Sequence, residues 1–150
     1  MNASSKFVLD SRFKDVVASA DRSIVLEVTE HEEVGDYAAL RHMIEQLGSD
    51  VRVAVDDTGA GVSNMKNVLF LAPAFVKLDI SWIQDLERDT SRQALVAGMQ
   101  GFASVAGCDL IAEGIETELT RAALLGLGVR FGQGYLLGRP APITSIVHSR

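Results

Sequence analysis

Cysteine is almost absent from this sequence: Cys108 is the single one in 150 residues, so no disulfide can form within the chain, and a reducing compartment fits. In "VAGCDLIAEG" it precedes an apolar run and reads as a small buried or half-buried thiol. Basic charge is also scarce. Against 20 Asp and Glu stand 14 Lys and Arg, giving a net charge of −6 and a pI near 5.0. That excludes a coat for polymeric nucleic acid, which needs a basic face. It does not exclude one small anionic ligand held through a metal. No apolar run approaches the roughly 18 residues that cross a bilayer. "MNASSKFVLD" has no apolar signal-peptide core. A cytoplasmic chain without membrane contact of its own is the expectation, any anchoring of a parent protein falling to other domains. His31, His42 and His148 are scattered and, with one cysteine, give no zinc-ligand spacing. No Lys-Ser/Thr follows Gly59 and Gly61, so a Walker-type phosphate cradle is absent too.

What is present is a core and a repeating pattern. Hydrophobic residues make up 47% of the chain and charged residues 23%, which suits one folded domain rather than disorder. "SIVLEVTE" (23–30), "VRVAVDD" (51–57), "AFVKLD" (74–79), "CDLIAEG" (108–114) and "VRFGQGYLLG" (129–138) predict strands. Between them, Leu40, Met43, Ile44 and Leu47 recur at i, i+3, i+4 and i+7. "SNMKNVLFL" predicts a short helix behind Ser63 as N-cap. Leu95, Met99, Phe102 and Ala106 mark one side of a long helix, and Thr117 caps the start of another. Apolar strands alternating with amphipathic helices mean a parallel sheet covered by helices. An open doubly wound sheet and a (β/α)8 barrel both satisfy this pattern.

The strand ends carry the polar residues. "LEVTE" supplies Glu27 and Glu30, "VAVDD" supplies Asp56 and Asp57, and "FVKLD" supplies Lys77 and Asp79. "LIAEG" supplies Glu113 and "FGQGY" supplies Gln133. Either architecture puts its active site at the C-terminal ends of parallel strands, so these groups converge. Crowded carboxylates repel one another and are driven to protonate, and a divalent cation removes that conflict. Oxygen donors suit Mg²⁺, Mn²⁺ or Ca²⁺. Two adjacent aspartates can serve two metals, a recurring device for phosphoester hydrolysis. Asp-Asp-Thr-Gly is also ordinary turn sequence when read alone. A lysine in a run as apolar as "FVKLD" is costly unless paired. An ion pair with Asp79 or Asp57 is the structural reading and a Schiff-base amine another. Orienting a water or a phosphate fits the crowd of carboxylates better.

"LEVTE", "VAVDDTGAGVSN", "FVKLD", "LIAEGIET" and "GQGYLLGRP" resemble, in order and approximate spacing, the motifs of the EAL domain family. The resemblance implies an α/β fold, a (β/α)8 TIM-type barrel, over residues 1–142, with 143–150 as a tail. It implies a cyclic di-GMP phosphodiesterase that yields linear pGpG with two ions, Mg²⁺ or Mn²⁺. Residue by residue, it implies that Asn2, Glu27, Asp56, Asp57 and Glu113 ligate metal, with Asp56 shared between the two ions. Lys77 would hold the attacking water, with Glu113 linked to acid–base steps. Glu30 would anchor the loop from Thr58 to Asn64, which shapes the metal site and a homodimer contact. Asp79, Glu116 and Gln133 would contact substrate or shape the site.

The sequence also departs from that family. No Glu-Ala-Leu segment occurs, although its glutamate is a metal ligand placed upstream of the position of Asn2. Thr58 and Val62 replace loop aromatics. The expectation is an incomplete barrel of about six strands whose first strand, at Asn2, pairs poorly. Such a piece should be weakly stable, aggregate, or close against another copy, because open sheet edges invite pairing. An inactive receptor for cyclic di-GMP, or a protein-interaction module, is the competing reading.

Overall fold

The computed structural model describes residues 2–3, 5–8, 10–20, 23–28, 37–48, 50–56 and 68–141. Six strands form one sheet: β1 (Asn2–Ala3), β2 (Ile24–Val28), β3 (Val51–Val55), β4 (Phe75–Leu78), β5 (Asp109–Ala112) and β6 (Phe131–Gly132). They lie in chain order, and every pairing is parallel. A doubly wound sheet needs a point where the strand order reverses, and none occurs among these six. Strictly sequential parallel order is that of a (β/α) barrel, here incomplete. The crossovers carry helices α1 (Ser5–Val8), α2 (Ser11–Ala18), α3 (Tyr37–Gln46), α4 (Ile80–Ile83), α5 (Thr90–Ala106) and α6 (Glu118–Gly126), and residues 68–71 are helical as well.

The register sorts side chains between two faces. Leu26 pairs with Val53, Val55 with Val76, Val76 with Leu110, and Leu78 with Ala112. Side chains alternate along a strand, so Val28 joins this set. All of these are buried, in one cluster with Phe13, Leu40, Val96, Met99, Ala103 and Leu124 from the helices. Each fully buried Val, Leu or Phe contributes roughly 1.5–3 kcal/mol, which makes this sheet–helix layer the main source of stability. The same alternation puts Glu27, Asp56, Lys77, Glu113 and Gln133 together on the other face.

Two expectations need correction, on α5 and on the last strand. β1, expected to pair poorly, pairs over two residues only, with Asn2 opposite Glu27 and Ala3 opposite Val28. The helix pair α1–α2 went unanticipated. Asp10 caps α2 by accepting from Arg12 N at 2.9 Å, and that side chain's hydrogen bonding to Arg12 holds the Asp10 carboxyl down to about 2. Phe13 behind it is fully buried and meets Phe7 edge-on at 5.3 Å. On α5 the buried residues are Val96, Met99 and Ala103, while Leu95 and Ala106 face solvent. Two apolar stripes overlap at Met99, and the one with the smaller residue seats the helix against the sheet.

The last strand is also much shorter than "VRFGQGYLLG". It ends at Gly132, and a turn follows in which Leu137 N and Gly138 N donate to Gly134 O at 3.0 and 3.1 Å. Gly134 lies flat against the Ile115 peptide: a Cβ there would stand 2.2 Å from both Ile115 N and Ile115 O. Gly134→Ala is therefore expected to cost at least about 2 kcal/mol in urea unfolding, as overpacking against backbone does. Gly138→Ala, with nothing within 4 Å of its would-be Cβ, should stay within about 0.5 kcal/mol of wild type. Equal effects would show that the 134 contact does not shape this turn.

Candidate active site

Lys77 organises the face opposite the helices. It sits in β4, all four of whose residues are buried. Its ammonium lies 2.6 Å from Glu113 Oε1, 2.9 Å from Asp56 Oδ1 and 3.1 Å from Glu27 Oε2. These carboxylates come from β2 and from the residues just past β3 and β5, so with Lys77 on β4 four consecutive strands deliver the four charges to one point. Burial pulls the Lys77 pKa down, but the hydrogen bonds that the ammonium donates to Glu113, Asp56 and Glu27 outweigh it and push it above the ordinary lysine range. A lysine so held is a permanent cation at neutral pH. It cannot act as a free-amine nucleophile, which removes the Schiff-base reading. Of the two ion-pair partners expected, Asp57 lies outside the described residues, and Asp79 instead accepts from Ser81 N at 2.8 Å and caps α4.

Gln133 donates through Nε2 to Glu113 Oε1 at 2.6 Å, the same oxygen that meets Lys77. It therefore orients Glu113 from β6. Gln133 also lines an open cleft of about 740 Å³ with Glu116, Tyr135, Arg139 and Pro140. Glu116 is exposed there and stands outside the ion-pair cluster. Gly114, next to Glu113, adopts φ +69 with its would-be Cβ 2.5 Å from Ile80, so the chain can turn into the cleft only without a side chain. Asp57, Glu30 and the Thr58–Asn64 loop lie outside the described residues. For Asn2 only the backbone is described, opposite Glu27. Cys108 is half-buried, and desolvation pushes its thiol pKa up, as suits an inert packing residue. The sequence reading missed Tyr135 and Arg139 as cleft residues; their place in "GQGYLLGRP", directly behind Gln133, was the available signal.

The donor set is all oxygen. Three carboxylates against one ammonium leave a formal excess of two negative charges among the described groups. That matches a hard divalent cation in donor type and charge. The described residues hold the three carboxylates around Lys77 rather than as a ready three-ligand shell.

A parallel, helix-covered barrel segment with its charged groups at the C-terminal strand ends defines a barrel protein of the kind that places its chemistry there. The chain belongs to the EAL domain family, whose model matches residues 4–140. It is similar to the probable cyclic di-GMP phosphodiesterase PdeA of Escherichia coli strain K12, 32% identical over 123 residues, or 81% of this chain and 17% of PdeA. It is also similar to the cyclic di-GMP phosphodiesterase PA2567 of Pseudomonas aeruginosa, at 36% over 121 residues, 79% of this chain and 20% of that protein. The chain thus spans a fifth or less of these relatives' length. Among solved structures, the EAL domain of Mycobacterium smegmatis DcpA matches with a TM-score of 0.86 at 29% identity, covering 97% of this chain and 69% of that one. Klebsiella pneumoniae BlrP1 in complex with manganese and cyclic di-GMP matches at 0.80 and 27%, covering 94% and 38%. No helix among the described residues is long and apolar enough to cross a membrane.

Proposed function

We propose that this domain hydrolyses one phosphodiester of cyclic di-GMP to give linear pGpG. The observation that carries the reading is the gathering of Glu27, Asp56 and Glu113 on Lys77 at one point of the barrel face. The names of PdeA and PA2567, and the ligands bound by BlrP1, support it. Glu27, Asp56 and Glu113, with Asp57 and Asn2, would hold one or two Mg²⁺ or Mn²⁺ ions. Bound there, such ions supply an acidified water and neutralise charge building on the phosphate. Lys77, always protonated, donates hydrogen bonds: it orients a water or a phosphate oxygen and leaves proton abstraction to a carboxylate. Gln133 fixes the rotamer of Glu113. Glu116 and the cleft beside Gln133 offer room for the rest of the substrate.

The test is incubation of the chain with cyclic di-GMP and Mg²⁺ or Mn²⁺, with chromatography for pGpG. Metal-dependent pGpG that disappears with EDTA is the expected result. Binding without turnover would instead make the domain a receptor.

A further inference from the structure

Glu113 and Glu116 share one short connection, residues 113–117 between β5 and α6. Its β5 end is fixed through backbone: Glu113 N donates to Leu78 O at 3.1 Å, and Ile115 N to Gln133 O at 3.0 Å. Its α6 end depends on side chains. Thr120, in the first turn of α6, is among the described residues the only buried polar one outside the ion-pair cluster. Three hydrogen bonds account for it. Thr120 N donates to Thr117 Oγ1 at 3.1 Å, the two hydroxyls meet at 2.9 Å, and Thr120 Oγ1 donates to Glu87 Oε2 at 3.3 Å. Each hydroxyl carries one proton. Thr120 gives its own to Glu87, so Thr117 gives its own to Thr120. Capping α6 needs Thr117 alone. The reach from Thr120 across to Glu87 serves something more.

Glu87 is itself held. It lies between α4 and α5, where Leu86 is fully buried, Gln93 Nε2 donates to Leu86 O at 2.8 Å and Arg92 donates to Gln84 O. Ile80, at the start of the same segment, fills the space a Gly114 side chain would need. The segment after β4 thus meets the 113–117 connection at both ends. Between the two contacts lies a cavity of about 180 Å³, lined by Ile80, Glu87, Gly114, Glu116 and Thr120. Close packing therefore does not lock this stretch, and the hydrogen bonds do. We propose that Thr120 and Glu87 are positioning residues: through Thr117 they hold the connection on which Glu113 faces Lys77 and Glu116 faces the cleft. The catalytic consequence rests on the hydrolase reading above, whereas the positioning itself is measurable without substrate.

The experiment is amide hydrogen exchange of the full chain without metal, read residue by residue by NMR, followed by calorimetric titration with Mn²⁺. Thr120→Val keeps the shape and loses the hydroxyl. Exchange at Glu113 and Ile115 should then rise about 10-fold, the size of one hydrogen bond to a charged group, while amides of β2 and β3 stay unchanged. The Mn²⁺ dissociation constant should rise about 10-fold, as when the support behind a metal ligand is removed. Thr120→Ser, which keeps the hydroxyl, should restore both. Glu87→Leu should match Thr120→Val, and the double variant should be no worse than either, because all three break one chain. Unchanged exchange at Glu113 and Ile115, or a rise shared equally by β2 and β3, overturns the positioning. So does a Ser variant that behaves as Val does, an additive loss in the double variant, or a wild-type Mn²⁺ constant in Thr120→Val. A wild type that binds Mn²⁺ but forms no pGpG overturns the hydrolase reading alone. A wild type that binds no Mn²⁺ overturns the metal assignment, and the exchange comparison then decides the positioning.

Discussion

Lys77→Met is expected to lower the thermal midpoint by about 6–12 °C and to abolish pGpG formation. Methionine nearly conserves the volume, so the effect is one of charge rather than of a cavity. Removing the ammonium leaves Glu27, Asp56 and Glu113 facing the place it held, three like charges from three strands. Deleting one member of a buried ion pair costs about 3–5 kcal/mol. The carboxylates retain side-chain exposures of 13% to 27%, so the lower end, about 3 kcal/mol, is the appropriate figure. Two further readings separate this account from simple loss of packing. Mg²⁺ should raise the midpoint of the variant more than that of wild type, because a cation then replaces the missing positive charge. The pH dependence has a fixed sign. The folded pKa of Lys77 is raised, so its stabilisation is fully present below the unfolded lysine value of about 10.4 and is lost as pH rises through the folded value. The gap between wild type and Lys77→Met should be flat through neutral pH and narrow only above about pH 10.4. Melts monitored by circular dichroism across that range give the answer. A variant that melts with wild type would show that the ammonium is not what gathers the cluster.

That Lys77 mattered was legible from "FVKLD" alone, because a buried lysine demands partners. Which partners was not. Asp79 follows in sequence, but β4 ends at Leu78 and Asp79 is spent on capping α4, while the true partners come from positions up to fifty residues away. Parallel register is a cross-strand property and leaves no mark within one strand. The alternation of apolar runs and helical patterns gave the layers correctly, yet both a barrel and a doubly wound sheet fit it until the strand order was seen. The end of β6 was hidden for a local reason: "GQGYLLG" alternates plausibly, but Gly134 packs on the Ile115 peptide and turns the chain. On α5, Leu95 and Val96 are adjacent apolar residues on neighbouring faces, and only the sheet decides which is buried.

Asp56→Asn should leave the metal-free fold almost intact and still reduce turnover by at least about 10²–10³-fold, the loss typical when one group of a preorganised electrostatic site is removed, here a carboxylate that would hold the cation. Asp56 follows Val55, which the register sets opposite Val76, so its side chain falls level with Lys77. Its backbone N–H donates to Val28 O at 3.3 Å, which fixes the strand end on β2. The amide is isosteric and keeps an acceptor oxygen for the ammonium, so the metal-free cost should be about 1 kcal/mol or less. The charge count changes far more: the formal excess in the cluster falls from two negative charges to one, and the pull on a divalent cation falls with it. Wild type saturated to about one hundred times its dissociation constant with Mn²⁺ should gain about 2.7 kcal/mol, whereas the variant should gain little. Asp56→Asn and Lys77→Met thus predict opposite patterns, a stable fold deaf to metal against a weak fold rescued by it. Melts of both variants with and without Mn²⁺ separate them. An Asp56→Asn variant that kept wild-type turnover and the Mn²⁺ increment would sink the assignment of Asp56 to the metal, because no other carboxylate among the described residues lies level with Lys77 on β3.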